Sequence, residues 1–255
     1  MIDFRLIPNI LGALATLLII SSCNKQKYKS TYYKTGELNE KIEINNQGEP
    51  DGVYEQYYKS GELRFKTKMK NNQVVDSVFY YHKNGKVMEK GVYKNNLKSG
   101  WWKYYDSLGK LTVEEEPVWI DNKRGYNQII YYKKGAIDFT ESDFFKIYSD
   151  DTLEIGKNKI EIELFLKNRN EGNYRKLYAI LNKNISQTNK NDTINGRCNK
   201  FQFYIFLKKT GSIDIGGKIV EITARTSKKN TDSTINGIEV DRFFHKKVYV
   251  KDTVK

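Results

Sequence analysis

Tyr32-Tyr33-Lys34-Thr35-Gly36-Glu37-Leu38 returns as Tyr57-Tyr58-Lys59-Ser60-Gly61-Glu62-Leu63, and this likeness decides the fold. Two further copies, Tyr80-Tyr81-His82-Lys83-Asn84-Gly85-Lys86-Val87 and Tyr104-Tyr105-Asp106-Ser107-Leu108-Gly109-Lys110-Leu111, keep the aromatic pair, the glycine and an aliphatic residue two places after it. A weaker fifth copy, Tyr131-Tyr132-Lys133-Lys134-Gly135-Ala136-Ile137, closes the series, so the glycines recur 25, 24, 24 and 26 residues apart. Self-similarity at that period marks a repeat architecture.

Within a repeat the pattern is that of two short strands with a turn at each end. Leu63, Phe65, Thr67 and Met69 alternate with Arg64, Lys66 and Lys68, which is strand periodicity with one apolar and one charged face. Gly36, Gly61, Gly85 and Gly109 are expected in the turns at one end, and Asn45 to Gly48, Asn71-Asn72-Gln73 and Asn95-Asn96-Leu97 at the other. Both residue types tolerate positive φ at low steric cost. Tyr54, Phe79 and Trp102 stand two places after Gly52, Ser77 and Gly100. The spacing predicts that they form one ladder of cross-strand aromatic pairs, the first place to look, with Tyr104, for a binding surface. Packing of the sheet is the structural reading of the same rings.

These residues resemble the MORN-repeat variant, a family found in bacterial proteins often grouped with a putative antitoxin family. The resemblance covers about residues 31–137 and lies in the recurrence of glycine, aromatic at +2, aromatic doublet and turn glycine. The third copy departs from it with Ser77 and a longer turn, and the fifth with Asn127 at the aromatic position. The resemblance implies a ribbon of consecutive antiparallel hairpins and carries no catalytic residues. The fifth copy is expected to cap the ribbon, as terminal repeats must end a sheet without a sticky edge.

At the amino terminus, Leu6 to Ile20 is an apolar stretch too short to span a bilayer, followed by small residues. Ile20-Ser21-Ser22-Cys23 resembles the bacterial lipobox, which implies a signal peptide over 1–22 and a lipid on Cys23. Residues 23–30 then read as a polar tether, and the address as the bacterial cell envelope, the outer membrane where there is one. Two acyl chains suffice for stable anchoring. With Cys23 acylated, Cys198 is the remaining cysteine, so no intrachain disulfide is expected.

Beyond 137 the repeat stops, and alternating runs at 160–167, 174–181, 200–207, 218–225 and 242–250 predict a β-sandwich over 138–255. Its loops are expected at 182–197 and 226–237, each containing Asn-Gly (Asn195-Gly196, Asn236-Gly237). The fold class is therefore all-β, a hairpin ribbon followed by a sandwich of immunoglobulin-like type by general resemblance. The +13 net charge is uneven: 17 basic against 13 acidic residues over 24–116, and 26 against 17 over 117–255. On a lipid-anchored protein such a surface suits anionic head groups, glycans or an acidic protein, and no nucleic-acid motif accompanies it.

Chemistry is sparse. The histidines are His82, in a turn, and His245, on a strand; Cys198, His245 and Asp241 can be drawn as nucleophile, base and orienter, with no surrounding signature. Neither Cys-x₂₋₄-Cys nor His-x₃₋₅-His spacing occurs, and no cofactor or metal is expected. Glu114-Glu115-Glu116 cannot share a cation site easily, because consecutive strand residues face opposite ways. The reading is a non-catalytic envelope protein that binds a protein or anionic glycan. An antitoxin or immunity protein and an enzyme acting on envelope polysaccharide are the alternatives.

Overall fold

The computed structural model describes residues 26–120, 123–167, 174–182, 193–196, 199–229 and 232–252. Among these there is no helix, and the chain is all-β. The first eleven strands are β1 (Lys27–Tyr32), β2 (Leu38–Ile44), β3 (Pro50–Tyr57), β4 (Leu63–Lys70), β5 (Gln73–Val74), β6 (Val78–Tyr81), β7 (Val87–Lys94), β8 (Leu97–Tyr105), β9 (Leu111–Ile120), β10 (Lys123–Lys133) and β11 (Ala136–Ile137). They form one sheet in chain order, with β5 paired only to β4, so every neighbour is the next hairpin arm. β1 begins at Lys27; residues 27–30, expected in the tether, belong to the sheet through pairing with β2.

One turn geometry recurs along one end. The amides of Gly36, Gly61, Gly85 and Gly109 donate to the carbonyls three residues back, those of Tyr33, Tyr58, His82 and Asp106, at 2.8–2.9 Å. The four glycines have φ of 100°, 98°, 80° and 81°, the left-handed region that a three-residue hairpin loop requires at its bulge. A register shift follows at the same place in each repeat, and Tyr32, Tyr57, Tyr81 and Tyr105 then oppose Leu38, Leu63, Val87 and Leu111. At the other end Asn71-Asn72 and Asn95-Asn96 both have positive φ, as in two-residue type I′ turns.

Register is therefore counted from the turn glycine, and this corrects the aromatic ladder. Tyr54 and Trp102 each lie seven residues before their glycine; in the third repeat that position is Val78, and Phe79 points to the other face. The true packed face runs Tyr54, Phe65, Tyr80, with ring centroids 5.7 and 4.8 Å apart, and continues through Tyr93 and Trp102 at 5.1 Å. Phe65, Val78 and Trp102 are its buried centre. Gly91 lies flat under Trp102: a Cβ there would stand 2.3 Å from the indole ring.

The remaining strands are β12 (Phe144–Tyr148), β13 (Thr152–Glu154), β14 (Gly156–Phe165), β15 (Tyr174–Leu181), β16 (Thr193–Asn195), β17 (Lys200–Leu207), β18 (Gly211–Lys229) and β19 (Asp232–Lys251). They make two sheets, β12-β14-β17 and β13-β19-β18-β15-β16, that share one apolar cluster. β14 and β17 bury every second residue, Ile160, Ile162 and Leu164 with Phe201, Phe203, Ile205 and Leu207, against Leu177, Ile215, Ile219 and Phe244. Of the loop expected at 226–237, residues 226–229 and 232–237 are instead strand, in β18 and β19, and Asn236-Gly237 pairs with Ala224 and Arg225 inside the ladder. An unbroken antiparallel ladder keeps those polar residues in strands where side-chain pattern alone signals a loop.

The ribbon joins this second unit at β10. Asn127 falls in a bulge of the β9–β10 ladder, and its amide turns to the backbone of Phe243, accepting from its N–H at 2.6 Å and donating to its carbonyl at 2.7 Å. Gln128 accepts from the Phe145 amide at 3.0 Å. Arg242, 1% exposed, meets Asp143 bidentately and Glu221 at 3.2 Å, and Glu221 also receives Arg175 at 2.9 Å. Removing one partner of such a buried network leaves an uncompensated charge. Asn127 thus departs from the repeat because it makes the joint.

Two substitutions test the register. Gly61→Val is expected to destabilise the protein by about 1 kcal/mol or more through its φ alone, and Gly91→Ala by more because the indole must move. Lys68→Ala, on the exposed side of the same sheet, should change little, as urea melts of the three variants would show. Equal stability of Gly61→Val and Lys68→Ala would contradict the turn assignment.

Candidate functional site

The two faces of the ribbon differ in kind. On the aromatic face the side chains are tied to one another. Tyr54 donates its hydroxyl to Glu40 at 2.9 Å, and Tyr104 donates to Glu115, which also receives Arg124. Lys98 bonds Glu89 at 3.0 Å and lies 3.8 Å over the Trp102 ring. Burial and the Glu115 bond both push the Tyr104 phenol well above its usual range. Of the residues expected to offer a binding surface, Trp102 is fully buried, Tyr54 and Tyr104 are engaged in packing, and Phe79 is on the opposite face. The first three therefore build the sheet.

The opposite face carries a row of directly opposed residues, one per strand: Lys41, Glu55, Lys66, Phe79, Lys90, Lys103 and Glu114 on β2, β3, β4, β6, β7, β8 and β9. Counted from the turn glycines, Lys41, Lys66 and Lys90 occupy one position, five residues after Gly36, Gly61 and Gly85. Tyr32, Tyr57, Tyr81 and Tyr105 occupy another, four residues before each glycine. The two sets share a face: Tyr57 donates to Glu55 at 2.8 Å, Glu55 receives Lys66 at 2.9 Å, and Lys90 lies 5.6 Å from the centre of the Tyr105 ring. Lys103 bonds Glu114 at 2.6 Å. Lys41 sits 4.1 Å over Tyr28.

Electrostatics fix the charge states of this row. Burial alone would raise Glu55, but its bonds from Lys66 and Tyr57 outweigh that and hold the carboxyl below its usual range; Lys103 and Tyr132 do the same for Glu114. Burial, with the bond to Glu55, pushes the Tyr57 phenol up to about 12, so at neutral pH it stays a neutral donor. The row therefore combines permanent cations, the ionised carboxylates of Glu55 and Glu114, and neutral aromatic rings. The main contacts between strands of the second unit and the ribbon fall on β10, and the residues of the row are half-buried.

The histidine and aspartate drawn as base and orienter do not come together, whereas Glu141, Asp143, Lys167 and Arg242 line one hollow beside β10. His245 faces Asp214 at 3.1 Å, both well exposed, while Asp241 is held by Lys218 at 2.9 Å, so Asp241 does not orient His245. Cys198 and Cys23 lie outside the described residues. The His82 ring nitrogen Nε2 lies 3.0 Å from the Tyr105 carbonyl, and since a carbonyl only accepts, that nitrogen carries the proton. Glu114, Glu115 and Glu116 take separate partners: Lys103, Arg124 and the amides of Asn127 and Gln128. A hollow of about 580 Å³ at the end of the aromatic face is lined by Met69, Gln73, Val74, Tyr93 and asparagines, without a carboxylate, imidazole, thiol or amine.

The lysine set was hidden from the sequence by the density of lysine, and by aligning repeats on their aromatic doublets, which shifts the third and fourth copies by one residue. Counting from the glycine would have found it. No protein-family model matches the chain, and no curated protein matches it in sequence.

Because Glu55 and Glu114 are held low in the folded state, the stability they contribute is present above their unfolded pKa and is lost as pH falls through the folded one. Thermal stability should hold from neutrality to about pH 5 and decline below it. In Glu55→Gln/Glu114→Gln the acid-side decline should be shallower; an identical acid limb would show that the pairs contribute nothing.

Proposed function

We propose that this chain is a lipid-anchored protein of the bacterial cell envelope that binds an extended partner, a protein or an anionic glycan, along the lysine face of its ribbon and performs no chemistry of its own. One observation carries the reading. Tyrosine and lysine recur at fixed positions on a face that does not build the buried cluster, so packing does not account for their repetition. Repeats of this kind present long uniform surfaces, which suit extended partners better than small substrates.

The anchor rests on Ile20-Ser21-Ser22-Cys23 after a short apolar stretch. The kinship with the MORN-repeat variant rests on the recurring residues, and the meander of hairpins is the architecture that kinship implies. For the second unit, strand order supports an immunoglobulin-like sandwich. β12-β14-β17 corresponds to A-B-E, and β19-β18-β15-β16 to G-F-C-C′. A basic exterior beside a membrane also favours acidic partners over neutral ones.

Both halves of the proposal are tested in cells with the full-length protein. Wild type should incorporate radioactive fatty acid, sediment with membranes and retain cross-linked envelope partners. Cys23→Ser should lose the label and the sedimentation. Lys41→Gln/Lys66→Gln/Lys90→Gln should stay anchored but retain less at low salt than a control triple, Lys157→Gln/Lys159→Gln/Lys208→Gln, in the second unit. Soluble, unlabelled wild type would overturn the anchor, and unchanged retention in the folded ribbon variant would overturn the binding face.

A further inference from the structure

Lys41, Lys66 and Lys90 stand on β2, β4 and β7, and Tyr32, Tyr57, Tyr81 and Tyr105 on β1, β3, β6 and β8. In the order of the sheet each member is two strands from the next. Hydrogen-bonded neighbours lie about 4.8 Å apart, so both series repeat at about 9.5 Å along the ribbon, perpendicular to the strands. The lysines retain capacity for a ligand: Lys66 is about half exposed despite its bond to Glu55. Lys41 and Lys90 rest over tyrosine rings without a close ion pair, although Lys41 opposes Glu55 across the β2–β3 ladder and helps to hold its carboxyl low.

A ligand that satisfies both series must repeat one negative charge and one flat apolar face at that interval. An acidic peptide in β conformation does not, because residues two apart are about 6.7 Å from one another and the third residue turns to the other side. One in polyproline II conformation returns every third residue to one face at about 9.3 Å but offers no flat apolar face at that interval, and polyglutamate is its probe in the test below. Duplex nucleic acid is charged far more densely, at about one charge per 1.7 Å. A linear polysaccharide of alternating uronate and neutral sugar fits. Its disaccharide matches the two-strand interval, it carries one carboxylate per disaccharide, and the C–H face of a pyranose packs on an aromatic ring.

Resting on the reading of this face as the binding surface, we propose that it takes a linear acidic polysaccharide with one carboxylate per disaccharide, lying across the strands. Each carboxylate meets a lysine of the Lys41, Lys66, Lys90 series, and sugars rest on the tyrosines of the adjoining row. The fourth repeat ends the track: the lysine position there is Glu114, already paired with Lys103. Three lysines fit three disaccharides, so the full site is a hexasaccharide.

The test uses the full-length protein in detergent and fluorescent oligosaccharides of alternating glucuronate and N-acetylglucosamine. Affinity should rise from disaccharide to hexasaccharide and then level off. Neutral chitohexaose and polyglutamate should both bind more weakly. The triple variant Lys41→Gln/Lys66→Gln/Lys90→Gln, with an unchanged circular dichroism spectrum, should lose about tenfold in hexasaccharide affinity. Tyr32→Ala, at the exposed edge, supplies a second probe and should weaken binding without affecting the fold. Polyglutamate binding as tightly as the hexasaccharide, or an affinity indifferent to length or to both variants, overturns the glycan. If the glycan fails while retention of cross-linked partners still depends on the three lysines, the ligand class is wrong and the binding face stands; if both fail, the face itself is wrong.

Discussion

Tyr33, Tyr58 and His82 each reach from the first position of one hairpin turn to a backbone carbonyl of the next repeat, those of Tyr57, Tyr81 and Tyr105, at 2.8, 2.7 and 3.0 Å. The rest of the ribbon depends on this coupling. The buried cluster of Phe65, Val78 and Trp102 covers only part of the sheet, so burial on one face, the usual device, cannot set the register of every hairpin by itself. Here the turn glycine sets the register within each hairpin, and the side chain beside it ties that hairpin to its successor. In the fourth repeat the position is Asp106, which can only accept; its carboxylate takes the amides of Leu108 and Lys110, and the series stops.

With register fixed, the two faces can specialise. The aromatic face gathers Tyr54, Phe65, Val78, Tyr80, Tyr93 and Trp102 into a thin core that needs Gly91 beneath the indole. The opposite face carries the row from Lys41 to Glu114, with its ion pairs and tyrosine contacts. β10 gives up the repeat pattern where the ribbon meets the second unit: the bulge at Asn127 reaches Phe243, Gln128 receives the Phe145 amide, and Ile129 bridges Asp143, which Arg242 holds. Regularity is lost where a specific joint is needed.

The strands of the ribbon, its turns and the alternation of β14, β15 and β17 were legible because periodicity and turn chemistry are local. What was not legible depended on counting across a bulge or on partners distant in sequence. Ser77 resembles Gly52 and Gly100 in sequence and points to Phe79, whereas the Gly85 turn fixes Val78 at the position of Tyr54 and Trp102. The strands at 226–229 and 232–237 look like a loop because their support is a cross-strand ladder. Asn127 looked like decay of the repeat, and its partner Phe243 lies 116 residues away. The lysine track was visible only as an excess of lysine until the turn glycines supplied an origin from which to count.

Native-state hydrogen exchange on Tyr58→Phe tests the coupling most directly, since only a hydroxyl is removed. The account expects amides in both the β3–β4 and β6–β7 hairpins to lose protection, by about 1 kcal/mol, while those of β14 and β17 are unchanged. Protection unchanged throughout, or lost only in the hairpin that carries the substitution, would contradict it.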